Sequence, residues 1–140
     1  EPAAGATRGL LVYLIDAYHE ENVKDAKGND TKRVVMKLHP KLAPFKVAIL
    51  PLIKKDGLPE IARSLVKDFM KSGINARYDE QHAIGKRYRR HDEVGTPYCI
   101  TIDGETKDDN CVTIRDRDTM LQERIPIADA IEIVKNKLNQ

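Results

Sequence analysis

The chain offers few of the residues that would mark a self-contained enzyme. It has only two cysteines, Cys99 and Cys111, and their separation makes no metal-ligand spacing. Its four histidines, His19, His39, His82 and His91, are scattered without a partner at ligand spacing. There is no glycine-rich phosphate loop ending in Lys-Ser or Lys-Thr, no dinucleotide fingerprint and no serine elbow. A small hydrolase or redox domain would need a nucleophile–base pair, and none stands out. No apolar run approaches the roughly 20 residues of a membrane span. The start lacks the basic region and cleavage pattern of a secretory leader. The formal net charge of +2 is too small to argue by itself for a nucleic-acid partner, so the distribution of charge has to decide.

What is present is the composition of a globular protein that can bury a core: 41% hydrophobic and 33% charged residues over 140 positions. The opening, Glu1-Pro2-Ala3-Ala4-Gly5-Ala6-Thr7-Arg8, runs into an apolar helix expected from about Thr7 to Tyr18. Leu10, Leu11, Val12, Leu14 and Ile15 leave that helix no wide polar face, and such a helix belongs inside a body that covers it. The opening is therefore expected to be the edge of a larger domain. Asn22 to Thr31 is polar around Gly28-Asn29-Asp30 and reads as a linker or mobile loop.

From residue 45 the pattern alternates. Val47 to Leu50 is a near-continuous apolar run suited to a central strand buried on both faces. Leu58, Ile61, Ala62, Leu65, Val66 and Phe69 recur at helical spacing, with Gly73 as the stop. Ile74–Tyr78 is a second strand, and Ala83–Glu93 a basic helix. Tyr98, Ile100 and Ile102 alternate as a strand. Asp103-Gly104 opens a charged turn to Asn110. Cys111–Arg115 and Thr119–Arg124 are strands joined by a tight Asp116-Arg117-Asp118 turn, and Pro126 begins a last helix. Helical crossovers make the first three strands parallel, and short turns make the last three antiparallel. The expected fold is α/β, a mixed five-stranded sheet of order 2-1-3-4-5 with helices packed on it. The cysteines either face each other on neighbouring strands or are two small, separately buried apolar residues, the plainer reading.

Three clusters could carry chemistry. Lys86, Arg87, Arg89 and Arg90, interleaved with Tyr88, offer cations for phosphate and a ring for unstacked bases; they are equally a solvated helix face packed through Ile84, Tyr88 and Val94. Arg115, Asp116, Arg117 and Asp118 put donors and acceptors together at a hairpin tip, as base edges require, unless the charges simply neutralise one another in water. Around Gly5, Arg8 has the planar fork that grips phosphate, and Glu1 could hold an ammonium.

Taken together, these residues resemble the C-terminal part of the class II aminoacyl-tRNA synthetases and, among them, the glycyl-tRNA synthetase family. Glu1 to Arg8 resembles the third class II motif. Lys46 to Leu52, Ile84 to Pro97 and Val112 to Asp118 resemble the class IIa anticodon-binding domain, with Arg87 to Pro97 the most specific stretch. The resemblance implies residues 1–21 as the end of a catalytic domain, 22–44 as a linker and 45–140 as an anticodon-binding domain. It implies a parent enzyme that makes glycyl-adenylate from glycine and ATP with Mg2+ and passes glycine to tRNA(Gly). Arg8 would then contact ATP phosphate, and Glu1 the glycine ammonium. Ala3 stands where that family often has serine. Arg115, Asp116, Arg117 and Glu123 would read the two anticodon cytosines, with Arg89 and Arg90 on the backbone and Tyr88 beside them. The parent is expected to be a cytoplasmic homodimer. No metal ligand is assigned in this chain, and neither cofactor binding nor aminoacylation is expected of these 140 residues alone. Two alternatives remain: a non-catalytic accessory subunit that binds nucleic acid, and the same domain of a threonyl- or prolyl-tRNA synthetase.

Overall fold

The computed structural model describes residues 2–25 and 27–140. Helix α1 (Ala6–Ala17) leads directly into strand β1 (Tyr18–Lys24), which pairs antiparallel with β2 (Asp30–Met36) in a separate two-stranded sheet. The polar stretch expected as a linker or mobile loop is therefore the meeting of two strands. The local chemistry explains this. Asp25 Oδ1 accepts the backbone N–H groups of Lys27 and Asn29, an Asx-type turn. Gly28, at φ 83°, takes a left-handed conformation that a side chain would oppose. Thr31, Arg33 and Val35 alternate toward the body of the protein, where Arg33 and Val35 are buried.

The main sheet follows. Its strands are β3 (Val47–Pro51), β4 (Ala76–Tyr78), β5 (Tyr98–Ile102), β6 (Cys111–Asp116) and β7 (Gln122–Pro126), in the order β4-β3-β5-β6-β7. β3 is parallel to β4 and β5, whereas β5–β6 and β6–β7 are antiparallel. Numbered within this sheet, that is the expected 2-1-3-4-5. Helices α2 (Leu58–Lys71) and α3 (Ile84–Val94) form the two crossovers, α4 (Thr106–Asp109) is a single turn, and a 3-10 turn (Ile127–Asp129) precedes α5 (Ala130–Leu138). Pro126 ends β7 instead of opening a helix, and β7 starts at Gln122, three residues later than its pattern suggested. Asp116 holds the intervening turn by accepting the N–H groups of Asp118 and Thr119 on Oδ1.

The two faces of this sheet are covered differently. On one face Val47, Ile49, Ile100, Ile102, Val112, Ile114 and Ile125 pack against Leu58, Ala62, Leu65 and Phe69 of α2 and Ala130 and Val134 of α5. Each large side chain buried there contributes about 1.5–3 kcal/mol. On the other face α3 covers only Ala48, Leu50 and Cys99, through Ile84 and Tyr88. Cys99 lies opposite Arg115, and Cys111 opposite Pro126, so the cysteines do not face each other. Cys99 is buried as expected of a small apolar residue, whereas Cys111 is partly exposed.

Helix α1 stands apart. Leu10, Leu11, Val12, Tyr13, Leu14 and Ile15 are between 39% and 67% exposed, and Ala17 is its one buried residue. Its Gly5 N-cap supplies no side-chain hydrogen bond, and 12 residues are marginal for a helix without packing.

Candidate nucleic-acid interface

Helix α3 sorts its charges by period. Ile84, Arg87, Tyr88, His91 and Asp92 follow the i, i+3, i+4, i+7, i+8 spacing of one helix face, and of these Arg87, His91 and Asp92 are buried. Lys86 and Arg89 point out. Arg87 closes the end of β3: Nη1 donates to the Pro51 carbonyl at 2.6 Å, Nη2 to Leu52 at 3.3 Å and Nε to His82 at 3.1 Å. These carbonyls lie where the chain leaves the sheet, and buried carbonyls need partners. Arg87 is thus a structural clamp within a run that reads in sequence as one basic patch.

Asp92 organises the second face. It receives a bidentate pair from Arg115, Nη1 to Oδ1 at 2.8 Å and Nη2 to Oδ2 at 3.1 Å, and Arg33 Nε approaches Oδ2 at 3.1 Å. Arg33 also lies 3.4 Å from Glu21, donates to the Arg117 carbonyl, and shares Glu21 with Lys37. The Arg115 guanidinium stacks on the Tyr88 ring, 4.8 Å from its centroid, the planar geometry that arginine favours. Burial alone would lower the Arg115 pKa, but the Asp92 hydrogen bonds and charge outweigh it and raise it. Arg117 is also buried; Nη1 donates to Leu38 at 3.0 Å and Gly95 at 2.9 Å, and its other nitrogens pair with Asp118. The expected hairpin-tip readers Arg115 and Arg117 therefore face inward and are held by protein partners.

The remaining expected residues divide between the two sides. Glu123 lies opposite Ile114, on the face covered by α5, where with Asp116 and Lys137 it lines a cleft of about 270 Å3. It is thereby separated from Tyr88. Arg90 donates to Asp79 Oδ2 at 2.6 Å and lies 2.9 Å from His82 Nδ1. Arg89 is exposed and reaches the Thr31 hydroxyl at 3.0 Å on the β1–β2 hairpin. Arg8 is exposed on the first turn of α1, and Glu1 lies outside the described residues. The structure brings Tyr88, Arg115 and Asp92 together, and adds Arg33 and Gln122, which sequence reasoning missed.

Beyond α3 the second face is open over β5–β7. Register places Thr101 opposite Thr113, Thr113 opposite Arg124, and Arg115 opposite Gln122. A second cleft of about 270 Å3 opens there, lined by Leu52, Ile84, Tyr88, Thr101, Asp103, Thr113 and Gln122. Tyr88 Oη and Thr101 Oγ1 are 2.6 Å apart, and burial raises the phenol pKa. At the rim Arg124 is gripped by Asp103 and Asp109, which raises its pKa. Below Arg90, burial pushes His91 under its ordinary pKa against the opposing pull of Asp79. For Asp79 itself burial acts upward, but the Gln81 N–H, Arg90 and His91 prevail and hold the carboxyl low. An aromatic ring, hydroxyls, an amide and a carboxylate around an open cleft, with cations on the adjoining helix, form a surface that can take unstacked bases and their phosphates. Among the described residues no group of three or more His, Cys, Asp and Glu side chains is placed to hold a metal ion. Among the described residues no helix is long and apolar enough to cross a membrane.

An open α/β sheet with a ring-lined polar cleft beside a basic helix is the kind of fold that holds single-stranded nucleic acid. The chain belongs to the Anticodon binding domain family, which matches residues 46–137. It is 49% identical over 99% of its length to a glycine--tRNA ligase of Rhodopirellula baltica, of which that match covers 26%. A glycine--tRNA ligase of Clostridium perfringens is 51% identical over 99% of this chain and 29% of its own length. The chain thus spans 26% and 29% of the length of these two relatives. In structure it resembles prolyl-tRNA synthetase from Cryptosporidium parvum, solved with L-proline and AMP, at a TM-score of 0.69. That likeness covers 84% of this chain and 31% of the other at 20% identity, and concerns the fold.

Proposed function

We propose that this chain recognises the anticodon of tRNA(Gly) as part of a glycine--tRNA ligase. The observation that carries the reading is the cleft on the open sheet face, bounded by Tyr88, Thr101, Asp103, Thr113 and Gln122. Cytosine presents a donor amino group beside acceptors. Asp103 and the Gln122 and threonine side chains supply the complement, with Tyr88 as the stacking surface. Arg89 meets backbone phosphate, and Arg90 adds charge from its bridge to Asp79. Arg115 acts from beneath, holding the Tyr88 ring in place. Asp116, Arg117 and Glu123 have no base-reading role in this arrangement.

The parent would join the glycine carboxylate to the α-phosphate of ATP with release of pyrophosphate, then pass the glycyl group to the tRNA with release of AMP, as a cytoplasmic homodimer. ATP with Mg2+ would supply the adenylyl group that activates the carboxylate, and Arg8 would offer its guanidinium fork to phosphate oxygens. The catalytic body would cover the apolar surface of α1. The test is binding of a glycine anticodon stem-loop beside two others, each with one of the last two cytosines replaced. A loss of about 1–3 kcal/mol per replaced base is expected, shrinking when Gln122→Ala or Thr113→Val is introduced. Equal binding of all three, falling steeply with salt, would overturn base readout and leave a basic surface only.

A further inference from the structure

A larger cleft, of about 520 Å3, lies between the β1–β2 hairpin, the start of α3 and the β6–β7 turn, lined by Val23, Lys24, Asp25, Arg33, Gly85, Lys86, Arg89 and Met120. Half of these residues belong to the hairpin, outside the stretch matched by the anticodon-binding family. Four are cations against a single acid. The acid, Asp25, is occupied by the turn N–H groups that hold its pKa low.

The base of the cleft carries surplus positive charge. Arg33 is 3% exposed, and its Nε and Nη1 make no aligned hydrogen bond even though carboxylates lie nearby. In the network behind it three cations, Arg33, Lys37 and Arg115, share two carboxylates, Glu21 and Asp92. The lysine salt bridges among the described residues are Lys32–Glu20, Lys37–Glu21 and Lys71–Asp68, so Lys24 and Lys86 have none. A cleft lined by four cations, above a partly buried network with one more cation than carboxylates, favours an anion. Val23 and Met120 give the same cleft an apolar wall, on which a ribose can rest.

We propose that this cleft binds a backbone phosphate of the RNA whose bases enter the sheet-face cleft, so that the hairpin is part of the RNA-binding surface. The proposal rests on the reading given under Proposed function. Lys24 and Lys86 meet the phosphate from opposite walls, Arg89 closes the rim, and Arg33 supplies charge from below.

The test is the salt dependence of stem-loop binding by the 140-residue chain carrying Lys24→Gln and Lys86→Gln, compared with Lys67→Gln and Lys71→Gln on α2, which make the same charge change on the far face. Both pairs are exposed, so neither should disturb folding, and circular dichroism checks this. The cleft variant should weaken all three stem-loops by one common factor. The slope of log affinity on log salt should become shallower by roughly 0.7–0.9 for each phosphate contact removed, while the α2 variant keeps the parent slope. Binding by the cleft variant with an unchanged slope would overturn the phosphate site and leave base readout standing. A parent chain that binds no stem-loop would overturn the functional reading and this proposal together. A change confined to one stem-loop would mean that the cleft reads a base, and would overturn the phosphate assignment.

Discussion

The two faces of one sheet are held by different means. Under α2 and α5 the contact is apolar: Phe69, Ile49, Ile100 and Val134 sit fully buried without a charge among them. Under α3 and the hairpin a small apolar cluster of Ala48, Leu50 and Cys99 is joined by buried charged and polar groups, among them Arg33, Arg87, Arg115, Arg117, Asp92 and His91. Apolar packing is tolerant of direction, so the first face can stabilise the fold without fixing any particular side chain. Bidentate ion pairs and donors aimed at carbonyls are directional, so the second face fixes Tyr88, the hairpin and α3 relative to one another. Desolvation makes such pairs weak contributors to net stability, and their value here lies in placement.

Breaking either face should cost about the same in stability, and that sharpens the contrast. Asp92→Ala leaves two buried guanidiniums without their carboxylate, and urea unfolding should show a loss of about 3–5 kcal/mol. Phe69→Ala should lose about 3–5 kcal/mol as well, through cavity and transfer terms. The faces part in RNA binding measured where both variants remain folded. Asp92→Ala should weaken the stem-loop by releasing Arg115 and Tyr88, whereas Phe69→Ala should bind like the parent. Equal affinities would remove the proposed division of labour.

Gly95 is the next place to press. It ends α3 at φ 86°, and an added Cβ would stand 2.9 Å from Leu38 Cδ1 and 3.0 Å from the Met36 carbonyl oxygen. Gly95→Ala should cost about 1–3 kcal/mol. It should also loosen the hairpin's exit, seen as faster amide exchange at Val35 and Lys37 than in α2. Uniform exchange across the chain would argue that the two sheets are not separately held.

Smaller effects follow from titration and thiol chemistry. The folded state depresses the His91 pKa, so between that value and the ordinary one near 6.5 the unfolded chain binds more protons. Stability contributed by neutral His91 is complete above about pH 6.5 and is lost as pH falls through the depressed value. His91→Gln should flatten this part of the stability–pH curve, and an unaltered curve would show that the imidazole does not titrate with unfolding. The least effect is expected of Cys99, whose thiol pKa is pushed up to about 12 by burial. An aromatic disulfide reagent should label Cys111 promptly and Cys99 only on unfolding.

The apolar face was legible because its residues obey one rule at a time: period 2 on the strands, 3.6 on α2, with glycine and proline as punctuation. Strand order followed from crossover length. The charged face is harder to read, because a polar residue gives no sign in its type alone that it faces inward. Lys86 to Arg90 reads as one basic patch until the helical period places Arg87 with Ile84 and His91, facing inward. Arg33 gave a similar signal through its alternation with Val35. Arg115 and Arg117 belong to a hairpin tip in the sequence pattern, yet in the structure both are buried. Asp118 beside Arg117 is a local partner, but Asp92, Leu38 and Gly95, which hold the two guanidiniums inside, are remote in sequence, and no local pattern announces them.

The docked hairpin also sets an order of events during synthesis. Arg33 and the Arg117 carbonyl it donates to are 84 residues apart in the chain. At about 5–20 residues per second, roughly 4–17 s pass between making the first and the second. A β-hairpin forms in microseconds, so β1–β2 must wait on the ribosome with its inward side chains unmatched until β6 has emerged. Residues made later thus secure strands made earlier, and a chain released before β6 would carry an undocked hairpin, a natural target for chaperones and proteases.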